Sequence, residues 1–257
     1  MKSEGSFCSV KISTRKKIEE FVGEHIGSFH TNRAENLKKL RLKLLLQRKN
    51  PYLFRAKNLN LAASLISALL EAHLSSSEEG SFGRFLEKLA IYIAEITGGG
   101  HKSAAHGIDI ELTRKSIRYL IAVKSGKSWG NSGQHLELKR NFKTAVKIIR
   151  QSDNKTRVQP TLGICYGNFK TVDNGDFLHI GGQSFWHLIS DDSNLYIDLI
   201  EPLGHEAEKY DKNFKEEKDK TYNRMLREFT NDYCQSSGAI GWPKLVHFVS
   251  SNLNEAE

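Results

Sequence analysis

The segment Gly107 to Lys124, GIDIELTRKSIRYLIAVK, alternates apolar and polar residues through two runs joined by a short basic linker. Period-two alternation marks half-buried strands, and two such runs in succession predict an antiparallel hairpin. With an even loop centred between Lys115 and Ser116, Asp109 faces Ala122 and Glu111 faces Leu120. One face then shows Ile108, Ile110, Leu112, Tyr119, Ile121 and Val123. The other shows Asp109, Glu111, Thr113, Arg118, Leu120, Ala122 and Lys124. A slip of one residue would mix the two polarities on each face, so burial itself selects this register.

Two carboxylates and a lysine on one surface are what a phosphodiesterase needs. Carboxylate oxygens hold magnesium (Mg²⁺), which keeps several of its waters and bridges to substrate phosphate. A bound Mg²⁺ acidifies water and neutralises charge on phosphorus oxygens, and a neighbouring lysine orients the attacking water or stabilises the transition state. An isolated D-x-E with a lysine is more often a solvated hairpin face, so the rest of the chain has to decide.

Residues 15 to 48 carry helical periodicity, through Ile18, Phe21 and Val22 and then Leu37, Leu40, Leu44 and Leu45, with a stop at Asn50-Pro51. A second helix is predicted over Leu59 to Leu74, a loop at Ser75 to Gly80, and a third helix over Phe82 to Thr97, stopped by Gly98-Gly99-Gly100. After the hairpin come a glycine- and serine-rich loop from Lys124 to Gly133 and an amphipathic helix from His135 to Gln151. Buried strands follow at Thr161 to Tyr166 and Phe177 to Ile180, then a short helix at Phe185 to Ile189. Leu195 to Leu253 reads as helical and charged, with a late turn at Ser236-Ser237-Gly238 and Gly241-Trp242-Pro243. Helix, hairpin, helix, strand is the order of an α/β core with helices on both faces.

Charge and cysteine usage narrow the class. Lys plus Arg total 38 against 30 Asp plus Glu among 257 residues, a net charge of +8 that favours a polyanionic partner. The stretch Arg33 to Lys57 concentrates it: Lys38, Lys39, Arg41, Lys43, Arg55 and Lys57 fall there with Glu35 as the single acid. Asn50, Tyr52, Asn58 and Asn60 interleave, and cations suit phosphates while amides and hydroxyls suit base edges. Cys8, Cys165 and Cys234 form no C-x-x-C pair, so reduced thiols are expected, with Cys165 in the core. No apolar run approaches the roughly 18 to 20 residues that span a bilayer, and Met1 to Arg15 is polar, so a cytoplasmic protein is the expectation.

Several other motifs carry less. His101 and His106 sit five apart in a glycine-rich turn, which is not a zinc spacing. Gly126-Lys127-Ser128 lacks the first glycine of a P-loop, position 121 being Ile, so a nucleotide-binding loop is not expected. Lys102 and Ser103, just before the Asp109 strand, suit a phosphate contact. Lys127, Trp129, Asn131, Ser132 and Gln134 are candidates to reach DNA, Trp186 and Trp242 are expected in the core, and Phe214 to Arg227 reads as a solvated charged face.

The pieces Phe82-Gly83-Arg84-Phe85-Leu86-Glu87, Gly99-Gly100-His101-Lys102-Ser103, Gly107-Ile108-Asp109-Ile110-Glu111 and Val123-Lys124-Ser125-Gly126, with Trp129-Gly130-Asn131-Ser132, resemble type II restriction endonucleases of the PD-(D/E)XK superfamily, specifically the PmeII-like group. Asn50 to Asn58, Cys165-Tyr166-Gly167-Asn168, Gly181 to Trp186 and Tyr196 to Gly204 are similar to that group as well. The resemblance implies an α/β, restriction-endonuclease-like core: a mixed central β-sheet flanked by helices, with N- and C-terminal helical additions. It implies Mg²⁺-dependent cleavage of double-stranded DNA at a short specific site by a homodimer, and it maps the motif aspartate to Asp109 and the motif lysine to Lys124. One position departs: two before the lysine, where the motif is acidic, stands Ala122. Members with that gap recruit a glutamate from the preceding helix, which makes Glu87 the first choice for the missing ligand. Glu111, on the face of Asp109, is the second, and the Val123 carbonyl is a candidate to complete the shell.

The expected organisation is a basic, DNA-contacting helical region over 1–75 and a nuclease core with a C-terminal helical region over 76–257. Functional pairing with a DNA methyltransferase is expected, because an unprotected sequence-specific nuclease destroys its host's chromosome. A structure-specific repair nuclease and a non-catalytic sequence-specific DNA-binding protein stay open as alternatives; Ala122 is the feature that favours the second.

Overall fold

A computed structural model describes residues 12–251; Cys8 and Leu253 lie outside them. The chain divides into two compact units, Met1–Ile26 with Phe82–Glu206 and Gly27–Ser81 with Ala207–Glu257.

The first unit holds the sheet. Strands β1 (Gly100–Lys102), β2 (Ile110–Arg114), β3 (Ile117–Gly126), β4 (Arg157–Tyr166), β5 (Val172–Asp173) and β6 (Leu178–Gly181) lie in the order β1-β2-β3-β4-β6-β5. β2 pairs antiparallel with both β1 and β3, β3, β4 and β6 run parallel, and β5 returns antiparallel. This is the mixed, helix-flanked α/β sheet expected. The short strands β1 and β5 were not visible in the sequence, being too brief to show alternation.

The hairpin adopts the expected register. Glu111 pairs with Leu120 and Ile110 with Ile121, and the Asp109 amide donates to the Ile121 carbonyl at 2.9 Å. Lys115 and Ser116 take φ of 47° and 62°, the left-handed pair that a two-residue hairpin turn requires. The polar face is less wet than its alternation suggests. Helix α5 (Ser132–Ser152) lays Leu138, Phe142, Ala145 and Ile149 over Leu120, Ala122, Leu162 and Ile164, so only the ends of that face stay accessible. On the opposite face, α6 (Gln183–Ser190) drives Phe185 against Gly163, where a Cβ would come within 2.5 Å of the ring. Gly83, in the long helix α4 (Ala62–Ile96), approaches Ser125 of β3 on that same face. Gly98 and Gly99, at φ 85° and 92°, end α4 in a conformation that favours glycine.

α4 corrects one expectation: Ser75 to Gly80 is helical, not a loop. Glu78 is tied to Arg33 at 2.7 Å and the Ser81 hydroxyl donates back to the Ser77 carbonyl at 3.0 Å, so a long-range ion pair and a local hydrogen bond outweigh the poor propensity of the serines and glycine. The 15–48 segment, in turn, is interrupted: α1 (Ile12–Lys39) gives way at Leu40-Arg41 to α2 (Leu42–Gln47). Carbonyls freed there are taken up by Thr221 (3.1 Å to Leu37) and Arg224 (2.9 Å to Leu40). Asn50 then serves as a start rather than only a stop. Its side chain accepts from the Tyr52 and Leu53 amides to cap α3 (Pro51–Ala56), with proline at the first turn.

The second unit is built mainly from helices among its described residues. Leu42, Leu45, Phe54, Leu65, Ile66 and Leu69 pack with Met225, Phe229 and Tyr233 of α8 (Ile200–Tyr233) and Leu245 of α9 (Trp242–Ser250). The expectation of a merely solvated face over Phe214 to Arg227 is therefore corrected: Thr221 and Met225 are buried. The remaining C-terminal elements are α7 (Leu195–Asp198) and the turn between α8 and α9, where Cys234 bridges Ile240. Cys165 is buried and free, and Cys234 is also free. Trp186 is buried and Trp242 packs against the second unit's core.

Candidate active site

Register places Asp109 immediately before β2 and Lys124 near the end of β3, at one end of the hairpin. The Val123 amide donates to Asp109 Oδ2 at 2.6 Å, which holds the carboxylate beside the residue preceding Lys124. Glu87 arrives from α4 close enough to Asp109 for the two carboxyls to interact. Burial pushes the Glu87 pKa up, and the negative charge of Asp109 adds to it; Lys124 and Lys102 oppose the shift without cancelling it. Two carboxyls facing each other in a half-buried setting repel unless a proton or a cation sits between them.

Glu111, the other candidate acid, is occupied. It is 8% exposed, accepts from Arg118 at 3.0 and 2.5 Å, and accepts from the Ser103 hydroxyl at 2.8 Å. Burial alone would raise its pKa, but the hydrogen bonds from Arg118 and Ser103 hold it below the ordinary carboxylate value. Arg118 sits diagonally across the hairpin from Glu111, a neighbour readable from the register, though alternation by itself does not single it out.

The remaining candidates in the first unit divide into free and engaged groups. Lys102 and Lys127 are exposed. Ser103 is buried, giving its hydroxyl proton to Glu111 while accepting from the Ala105 amide. Asn131 and Gln134 form the capping box of α5, each side chain bonded to the other's backbone amide. Trp129 presents its ring 5.5 Å from the Lys124 ammonium and packs against His135 at 4.3 Å. That contact bears on the candidate lysine and had no signal in the sequence.

Cys165, at the end of β4, is a second neighbour that its apolar run marks only as core. Burial pushes its thiol up to about 12, and the charges of Glu87 and Asp109 add to the shift, so it is neutral beside them. In the second unit Lys38 pairs with Glu35 at 2.8 Å, while Arg41 and Lys57 are exposed and carry no ion pair among the described residues. Arg55 bonds Asn60 and lies 5.6 Å from the Trp242 ring.

The donor set suits a hard divalent cation. Among the described residues no group of three or more His, Cys, Asp or Glu is placed to hold an ion. Mg²⁺ asks for less, commonly one or two carboxylates completed by water and substrate phosphate. Glu87 and Asp109 supply two, and their mutual repulsion is what a cation relieves.

A family model described as Type II restriction endonuclease EcoO109I matches residues 16–211, a span that contains Glu87, Asp109 and Lys124. No curated protein matches the chain.

Proposed function

The chain belongs to the type II restriction endonuclease EcoO109I family, and from that premise we propose that it is a Mg²⁺-dependent enzyme of the PD-(D/E)XK kind, close to the PmeII-like group, cutting double-stranded DNA at one short specific site. The observation that carries the reading is the approach of Glu87, Asp109 and Lys124 at one end of the hairpin. Glu87 stands in for the motif acid that Ala122 lacks. With Asp109 it would hold Mg²⁺, and the carbonyl of Val123, whose amide already meets Asp109, is the candidate third oxygen.

A bound Mg²⁺ supplies charge neutralisation at the phosphorus oxygens and a more acidic water. The protein's own residues do the rest. The Val123 amide fixes the Asp109 carboxylate. Lys124 donates a hydrogen bond to the attacking water or to a phosphoryl oxygen, where negative charge grows. Trp129 lends its ring to the Lys124 ammonium and so limits where that ammonium can point. The basic segment bearing Lys38, Arg41, Arg55 and Lys57 contacts backbone phosphates, contributing affinity without sequence preference. A homodimer, a partner DNA methyltransferase and a cytoplasmic location complete the proposal.

The test is digestion of duplex DNA by the full chain with Mg²⁺. Discrete fragments sharing one end sequence, lost in Asp109→Ala, are expected. Cutting that follows DNA structure and ignores sequence would instead favour a repair nuclease, and binding without any cleavage a non-catalytic protein.

A further inference from the structure

Parallel strands β3, β4 and β6 all point their C-terminal ends the same way, and Lys124 sits at the end of the first. Beyond β4 and β6 opens a cleft of about 540 Å³. Crevices past the carboxyl ends of parallel strands are where open α/β sheets take their ligands. Its inner wall includes Cys165, whose thiol feels the charges of Glu87 and Asp109. Tyr166 closes the gap to the candidate active site. It pairs with Gly126, two residues after Lys124, and a Cβ at Gly126 would come within 2.5 Å of the tyrosine hydroxyl.

The lining is unusual for a surface beside a phosphodiesterase centre, because it contains no charged residue. Aromatic rings stand open on two sides, Tyr166 58% exposed and Tyr196 38% exposed. Between them are polar groups with spare capacity. Asn168 and Ser184 make no side-chain hydrogen bond among the described residues. Gln183 gives an amide proton to the Ser193 carbonyl at 2.9 Å, and its own carbonyl oxygen has no hydrogen bond among the described residues.

Chemistry of this kind discriminates between ligand parts. Phosphates are held by cations, and none lines the cleft, Lys127 standing beside Gly167 at its edge. Side-chain amides match the donor–acceptor edges of bases, hydroxyls serve either role, and aromatic faces meet a base's ring or methyl group. Resting on the nuclease reading above, we infer that this cleft recognises nucleobases flanking the scissile phosphate, with Asn168 and Gln183 as specificity-determining residues and Tyr166 and Tyr196 as the walls that seat the bases. Lys124, Asp109 and Glu87 act on the phosphate; the neutral cleft reads what lies next to it.

The experiment sequences the ends produced from genomic DNA with Mg²⁺. The wild-type chain defines the preferred motif. Asn168→Ala and Gln183→Ala, both at exposed side chains, are expected to cut with discrimination at one or more motif positions reduced roughly 5- to 100-fold, the range for removing a bidentate hydrogen-bonded pair to a base. Where a variant cuts too slowly to read, its preference is taken from selection of a random DNA library by binding, and relaxed preference there supports the proposal equally. Unchanged preference at every position in both variants overturns the cleft assignment and leaves the nuclease reading intact. A wild-type chain that cuts no DNA overturns the nuclease reading, and the cleft assignment falls with it, a result visible before any variant is compared.

Discussion

The hairpin carries acids at two neighbouring places, and the surroundings treat them in opposite ways. Glu111 is buried with Arg118 and Ser103 donating to it, and its pKa is held down. Glu87 and Asp109 meet at one end of the hairpin, where the Val123 amide donates to Asp109, and the Glu87 pKa is pushed up despite Lys124 and Lys102. A buried carboxylate that has its partners stabilises the fold. One that faces another carboxylate works against it unless a proton or a bound cation offsets the charge. On the reading proposed above, the contrast makes the first acid structural and the second the metal ligand.

The largest effect that tests this contrast is loss of cleavage. Asp109→Ala and Lys124→Ala should each reduce cutting by about 10²- to 10³-fold or more while leaving DNA binding largely intact, since the proposed mechanism has both act on the scissile phosphate. Full cleavage by either variant, measured beside a gel-shift titration, removes the site. Next in size is the choice between the glutamates. Glu87→Gln should lose activity at least as completely as Glu111→Gln, with lost metal affinity as the cause, so that raised Mg²⁺ or added Mn²⁺ restores part of it. If Glu87→Gln cuts normally and Glu111→Gln is inactive, the ligand comes from the strand and the contrast is reversed.

Stability sharpens the comparison further, because the two variants should move in opposite directions when metal is chelated. Glu111 has a lowered pKa, so its stabilisation is present above the unfolded-state value and lost as pH falls through the folded one. Glu111→Gln should therefore cost about 1 to 2 kcal/mol at neutral pH, a deficit that closes in acid. Glu87 has a raised pKa, so its ionised form penalises the fold above the folded-state value, and the penalty vanishes below the unfolded one. Glu87→Gln should thus unfold at higher denaturant than wild type at neutral pH, the gain fading as pH drops. Urea titrations across a pH series read both; shifts of the same sign in the two variants would undo the contrast.

Smallest is the effect of surface cations, where tied and untied groups can again be compared. Neutralising Lys38, Lys39, Arg41 and Lys43 together should weaken binding to all DNA sequences and flatten the salt dependence by roughly 0.9 in log–log slope for each phosphate no longer neutralised. Arg41, without an ion pair among the described residues, should account for more of the change than Lys38, which Glu35 already holds. An unchanged slope would make this segment an ordinary solvated face.

Local pattern was enough for the hairpin. Alternation through Gly107 to Lys124 defined the strands, the turn at Lys115-Ser116 and the register, because a slip of one residue exchanges a buried face for an exposed one. Period 3.6 marked α5, and the glycines after Ile96 marked the end of α4. The same logic misjudged what covers each element. Alternation distinguishes the two faces of a strand but does not say whether a helix lies over the polar one, so Leu120, Ala122 and Glu111 looked wet and are not. Propensity alone opened a loop at Ser75 to Gly80 that long-range partners such as Arg33 close into helix.

The amino-acid sequence by itself determined that Asp109 and Lys124 lie at the same end of one hairpin, since both are positions on a single pair of strands whose register burial dictates. It offered two glutamates for the acid that Ala122 lacks and no local means to choose. Only the tertiary structure decided which of them meets Asp109 and which is bound to Arg118, because whether Glu87 reaches the hairpin depends on how α4 packs against the sheet. That packing joins residues distant along the chain through burial, which is non-directional and leaves no signature in any short stretch of sequence.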